Sequence, residues 1–295
     1  MTHLSGSFSL LIATVLTTSV AMSQTPSAPM PPRVVPMTPD VMDKYEQVLP
    51  EADFIRREVM VPMRDGVRLY TAIVMKKGAT NAPVLLSRTP YDAYKSTHRV
   101  ASQRIVDILA IMDAEFAEDG YIRVYQDIRG LHRSEGEWVL NRPLAGPLND
   151  TGIDESTDAY DTVEWLVKNV PEANGKVGVI GSSYLGFTTL MAQIHPHPAV
   201  KATVPQSPMV DGWMGDDWFH NGAFRISSFK YAVDMSKNKA EDGGEFALGG
   251  GDHYTRYLEA GSAADFAKEL GITHYPGVRK FLENPAYTDF WALQA

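Results

Sequence analysis

The chain has 295 residues, 44% of them apolar, a formal net charge of −9 and no cysteine. This length supports one to two domains with a sizeable core. The acidic balance opposes nucleic-acid binding, which needs clustered Lys and Arg, and the lack of Cys excludes a disulfide framework. The N-terminus carries the apolar run Phe8 to Leu16 and then small residues up to Ser23. Such a run is too short to span a bilayer and reads as a signal-peptide core, so residues 1–23 are expected to be cleaved and the protein secreted or periplasmic. Pro26, Pro29, Pro31, Pro32, Pro36 and Pro39 make residues 24–42 a stiff extended linker.

The first folded unit is expected near Tyr45. Two β-rich runs between Val59 and Val74 flank Arg64-Asp65-Gly66, a hairpin signal because Gly tolerates the positive φ of a tight turn. A buried strand is expected over Val84 to Pro90, leading into a turn at Tyr91. Another is expected over Gly120 to Gln126, followed by Asp127-Ile-Arg129. An ion pair between Asp127 and Arg129 is the structural reading of that loop; a substrate role is the alternative. Asp158 to Lys168 places Tyr160, Val163, Trp165 and Leu166 on one helical face, with acids toward its start.

Next comes Val177-Gly-Val-Ile-Gly181-Ser-Ser-Tyr-Leu-Gly186, a β-branched run that meets a glycine-framed serine. A nucleophile elbow needs a serine on a sharp strand-to-helix turn with small residues around it. Ser183 is the candidate nucleophile, Tyr184 the candidate donor of a backbone N–H to an oxyanion, and Gly181 and Gly186 relieve crowding. The alternative is an ordinary Gly/Ser loop. An apolar helix over Phe187 to Gln193 ends at His195-Pro196-His197-Pro198, and a second buried strand is expected over Val200 to Pro205. Alternating strands and helices argue a parallel, doubly wound sheet with its site at the carboxyl ends of the strands. After Pro208 the sequence turns Trp-, Phe- and Met-rich, with helical stretches near Phe224 to Asn238 and Ser262 to Leu270 and a loop over Gly243 to Gly251.

Several motifs together resemble the α-amino-acid ester hydrolases, within the X-Pro dipeptidyl-peptidase and cocaine-esterase group of serine hydrolases. They are Arg88-Thr-Pro-Tyr91, Gln126-Asp-Ile-Arg-Gly130, Ser134-Glu-Gly136, Gly181-Ser-Ser-Tyr-Leu-Gly186 and Asp211-Gly-Trp-Met-Gly-Asp-Asp-Trp218. Leu185 departs from the glutamate expected there in the ester hydrolases. The resemblance implies an α/β-hydrolase fold, with residues 43–207 as the N-terminal part of the core and 208–295 as a helical cap. It also implies that Tyr91 gives a phenolic O–H to the oxyanion and that Asp217 belongs to a carboxylate cluster binding the substrate's α-ammonium group. A packing role for Tyr91 stays open, and the neighbouring Asp216 reads as solvated.

In this fold the triad acid and histidine follow later strands. The residues after Ser183 do not read as such strands, so the chain is expected to stop before the triad acid and base and before the family's jelly-roll domain. His220, His253 and His274 fall in the cap-like region, away from a base's place. His195 and His197 sit between prolines without a third ligand, which reads as a loop rather than a metal site; His98 and His132 receive no role. The expectation is a serine hydrolase cleaving esters or amides of small acyl groups, α-amino acyl groups among them. No metal or cofactor is called for, the partner is a small-molecule substrate, and an intact relative could form a homo-oligomer. An X-Pro dipeptidyl-peptidase-like enzyme and a non-catalytic remnant are the alternatives.

Overall fold

The structure, a computed structural model, describes the backbone of residues 44–47 and then residues 51–215, 217–237, 246–249 and 252–294. The expected signal peptide and linker, and Asp216, lie outside the described residues. The chain opens with strands β1 (Lys44–Gln47), β2 (Phe54–Pro62), β3 (Arg68–Lys76) and β4 (Ala82–Thr89). Short helices α1 (Ala93–Thr97), α2 (Ile105–Ile108) and α3 (Ile111–Glu118) lead to β5 (Ile122–Asp127). Then come α4 (Glu155–Asn169), β6 (Ala173–Ser182), α5 (Tyr184–Met191) and β7 (Val200–Gln206). The remainder is a small hairpin, β8 (Phe219–His220) with β9 (Ala223–Phe224), and helices α6 (Ser227–Ser236), α7 (His253–Ala260), α8 (Ala263–Glu269), α9 (Pro276–Glu283) and α10 (Asp289–Ala292).

The strands form one sheet in the order β1-β2-β3-β5-β4-β6-β7. β1, β2, β3 and β5 pair antiparallel, whereas β5, β4, β6 and β7 pair parallel. The turn at Arg64-Asp65-Gly66 closes β2 onto β3 as expected, with Gly66 at φ 85° and its N–H donated to the Met63 carbonyl at 2.9 Å. Apolar residues cover both faces of the sheet. Val59, Leu69, Ile73, Leu86 and Val179 pack on Ala159, Val163 and Leu166 of α4. Tyr70, Ala72, Val74 and Tyr125 pack on Ile105, Ile108, Ala114 and Ala117 of α2 and α3. A third cluster joins α5, through Tyr184, Phe187 and Met191, to Phe229, Phe266, Phe281 and Trp291 of the helices after β9.

Helix α4 starts three residues before the expected point because Asp154 caps it. The Asp154 carboxylate accepts the N–H groups of Ser156 and Thr157, and the Thr157 hydroxyl answers the Asp154 N–H. Two expectations need correction. β7 is not a buried strand: its only neighbour among the described residues is β6, and Lys201, Ala202, Gln206 and Val204, the last 47% accessible, are exposed. Asp127 and Arg129 do not pair with each other. They follow one strand end but turn to opposite partners: Arg129 binds Asp158 and Asp65, while Asp127 accepts the N–H groups of Ala93 and Arg133. Helices α7, α9 and α10, and the short α1 to α3, were not anticipated. The last three are four to eight residues long, too brief for an apolar period to show.

Candidate active site

The chain leaves β4 sideways to β5 on one flank and later returns to place β6 on the other, so β4 and β6 are neighbours paired through Val84↔Val177 and Leu86↔Val179. A crevice at the carboxyl ends of strands belongs at such a reversal. Ser183 is the residue after β6, and Tyr91 lies two residues past β4. Strand adjacency thus brings together two side chains that are far apart in sequence.

Ser183 has φ 60° and ψ −120°, a backbone state that a non-glycine residue occupies at a cost of about 1–3 kcal/mol. The surroundings hold it there: its N–H donates to the Gln206 carbonyl at 3.1 Å, and its carbonyl accepts the Phe187 N–H at 2.9 Å. Both framing glycines are sterically required. A Cβ on Gly181 would stand 2.3 Å from the Leu185 carbonyl oxygen, and one on Gly186 would stand 2.3 Å from that of Gln206. The Ser183 side chain makes no capping bond and is exposed. The Tyr184 N–H lies in the first turn of α5, where a helix supplies no internal acceptor. The Tyr184 ring, by contrast, is fully buried, and its hydroxyl accepts the Asn141 N–H at 3.0 Å.

A hollow of about 400 Å³ opens over this turn, and Ser183, Tyr91 and Asp217 all line it. Tyr91 is 44% accessible; its N–H is held by the Thr89 hydroxyl at 2.9 Å, and the preceding Pro90 carbonyl accepts a hydrogen bond from His132 Nε2 at 2.7 Å. Trp218, Met209 and Tyr231 add apolar wall, while Arg225, Lys230 and Asp234 add charge of both signs. The sequence did not single out Tyr231. Its hydroxyl stands 3.1 Å from that of Tyr91, and burial pushes both phenols above the usual tyrosine range. Tyr231 belongs to an ordinary helical apolar pattern in α6, so only the packing of α6 with α5 and the later helices reveals the contact. Phenols so shifted remain protonated at neutral pH and can act as hydrogen-bond donors.

The remaining candidates fall elsewhere. No described histidine lines this hollow. His253 bonds the Gly249 carbonyl and His274 stacks on Tyr275. His197 pairs with Glu164 at 2.7 Å and meets the Tyr160 ring edge-on. No cluster of three or more potential metal ligands occurs among the described residues. No described helix is long and apolar enough to cross a membrane.

Below the hollow, the motif residues build scaffold. Arg88 is wholly buried in β4, with its guanidinium on Glu155 at 2.7 Å and on the Gln126 side-chain carbonyl at 2.8 Å. Ser134 donates to the Asp127 carbonyl at 2.6 Å and accepts the Tyr70 N–H at 2.9 Å. Gly130 has φ 78°, and a Cβ there would collide with the Trp138 nitrogen at 2.1 Å. Together these contacts clamp the loop after β5 against β3 and α4.

A doubly wound sheet, an exposed serine on a strained strand-to-helix turn and helices after the last strand define an α/β-hydrolase of the serine class. A model of the family described as X-Pro dipeptidyl-peptidase (S15 family) matches residues 65–295, and the chain belongs to that family. Among solved structures it is similar to a selenomethionine-labelled α-amino acid ester hydrolase, with a TM-score of 0.81 and 54% identity over 88% of this chain and 42% of the other. An aminopeptidase from the marine sediment archaeon Thaumarchaeota archaeon matches over the same shares, with a TM-score of 0.81 and 46% identity. The cocaine esterase of Rhodococcus sp. (strain MB1 Bresler) is 33% identical over 179 residues, which is 59% of this chain and 27% of that protein. The chain therefore spans less than half the length of these relatives.

Proposed function

We propose that this chain carries the nucleophile, the oxyanion donors and the amine-binding acid of a secreted serine hydrolase. Its substrates are esters or amides of small α-amino acyl groups. The observation that supports this most directly is the shared hollow: Ser183, Tyr91 and Asp217 line one space of substrate size. In the proposed reaction the Ser183 oxygen attacks the acyl carbon. The oxyanion then takes hydrogen bonds from the Tyr184 N–H and the Tyr91 O–H, donors that are each worth about 3–4 kcal/mol of barrier when preorganised. The leaving alcohol or amine departs and water releases the acyl group. Asp217 meets the α-ammonium, which lies one carbon from the attacked carbonyl.

The α-amino acid ester hydrolase and the aminopeptidase among the relatives support a substrate with a free amine next to the acyl carbon, whether the leaving group is alcohol or peptide. A general base is needed in addition. Because no described histidine lines the hollow, the chain as it stands is expected to react with a fluorophosphonate slowly, and only at Ser183. Binding tests the amine site without turnover. Calorimetry on the Ser183→Ala chain should show alanine methyl ester binding more tightly than methyl propionate, and Asp217→Asn should erase that preference. An equal preference before and after the second substitution would remove Asp217 from the site.

A further inference from the structure

His132 has no role in the sequence motifs and does not line the hollow over Ser183, yet it reaches that hollow through the backbone. It stands in the loop after β5 at φ 47°, a left-handed state that histidine, asparagine and aspartate enter more readily than other side chains. The loop around it is tied down. The Leu131 N–H donates to the Ile128 carbonyl at 3.2 Å and the Ser134 N–H to the Leu131 carbonyl at 2.9 Å. Arg133 adds an ion pair to Asp92 at 3.0 Å and lies over the Tyr94 ring.

From this anchored loop the half-buried His132 ring extends to the end of β4, where Nε2 donates to the Pro90 carbonyl at 2.7 Å. A carbonyl only accepts, so Nε2 carries the hydrogen. The Pro90 carbonyl and the Tyr91 N–H belong to one planar peptide unit, and the N–H donates to the Thr89 hydroxyl at 2.9 Å. Both polar atoms of that unit are therefore held, one from β4 itself and one from the loop after β5. Such a unit cannot rock about the chain axis without breaking one of the two bonds. Its orientation sets the direction in which the Tyr91 side chain leaves the chain. Asp92, the next residue, sits at φ 71° and caps α1 by accepting the N–H groups of Tyr94 and Lys95, so Tyr91 is bracketed on both sides.

We propose that His132 is a positioning residue that holds the Pro90–Tyr91 peptide so that the Tyr91 phenol stays over the Ser183 turn. The inference rests on the proposed use of Tyr91 as an oxyanion donor. A donor stabilises developing charge only when its place is fixed beforehand, and a displacement of about 1 Å costs up to about a hundredfold in rate. Tyr91 needs such support because it lies past the last residue of β4, where the sheet's own hydrogen bonds no longer restrain it.

The test uses the full chain with tyrosine ¹³C-labelled at Cζ, the ring carbon that bears the hydroxyl, and Tyr91→Phe assigns the Tyr91 resonance. Two variants separate the hydrogen bond from the backbone. Asparagine suits the positive φ, but its amide is too short to reach the Pro90 carbonyl; glutamine suits that φ less well, yet it carries an N–H donor about as far out as Nε2. His132→Asn should shift the Tyr91 resonance and slow fluorophosphonate labelling of Ser183 about tenfold, while His132→Gln keeps both near native. An unmoved Tyr91 resonance in His132→Asn, or an equal change in both variants, overturns the inference. Labelling of Tyr91→Phe at the native rate would instead overturn the oxyanion reading, so the resonance decides one and the labelling of Tyr91→Phe the other.

Discussion

The scaffold under the β4–β6 crevice and the hollow above it use the same residue types for opposite ends. Below, Arg88, Arg129, Glu155 and Asp158 are all buried and joined in ion pairs of 2.6–2.7 Å. Above, Tyr91, Asp217, Arg225 and Lys230 line an open space, Lys230 paired there with Asp234 and Arg225 bonded to the Asp217 carbonyl. Buried charges that are paired fix the shape of a loop, because any displacement would strand a charge away from water. Groups at the wall of a hollow stay within reach of solvent and ligand, so their pairs can be exchanged at lower cost. Removing a charge below should cost stability, whereas removing one above should cost selectivity.

The largest effect expected from this contrast is at Arg88. Arg88→Met fills similar space but strands Glu155, so urea unfolding should show a loss of about 3–5 kcal/mol. A loss below about 1 kcal/mol would break the contrast at its lower side. Gly186→Ala comes next, because its new Cβ must push aside the Gln206 carbonyl at the end of β7. A cost of about 1–3 kcal/mol is expected, together with loss of Ser183 labelling by a fluorophosphonate, since Gln206 also anchors the Ser183 N–H. Wild-type stability with wild-type labelling would show that β7 yields freely.

Asp127 sharpens the picture through pH. Burial pushes its carboxyl up to about 6, against which the N–H groups of Ala93 and Arg133 act only partly. The folded chain then holds a proton between about pH 4 and pH 6 that the unfolded chain has released. This group therefore favours folding most at low pH, and its contribution declines as pH rises through that window. Relative to Asp127→Asn, the native chain should lose about 1–2 kcal/mol between pH 4 and pH 6, measured as the change in their stability difference. A difference that is flat or grows in the other direction would contradict a raised carboxyl. The smallest effect belongs to Asp217, whose replacement by Asn should leave the unfolding free energy from urea titration within about 0.5 kcal/mol of the native value. A large shift there would mean that Asp217 is scaffold after all.

Much of this arrangement is legible in the chain itself. Gly66 between two β-rich runs announces the β2–β3 hairpin, and a β-branched run meeting Gly-Ser-Ser-Tyr-Leu-Gly announces β6, the Ser183 turn and α5. Tyr91 and Asp217 were both singled out through motifs shared with a known group of hydrolases, Tyr91 lying also just past an expected apolar strand. Other features were misread or missed. Arg129 turned from its neighbour Asp127 to Asp65 and Asp158, β7 proved an exposed edge among the described residues, and Tyr231 went unnoticed.

The sequence by itself determined the hairpin and the strand-to-helix turn, with Gly181 required by its contact with Leu185 four residues on, because backbone preferences and close contacts act over a few residues. Only the tertiary structure decided that Tyr231, 140 positions from Tyr91, meets its phenol, and that the Lys280 nitrogen ends at the Leu140 carbonyl, again 140 positions away. Those meetings depend on how α6 and α9 pack against α5 and the loop after β5. Docking is driven by apolar burial, which has no direction of its own and leaves each polar pairing to the geometry of the finished fold.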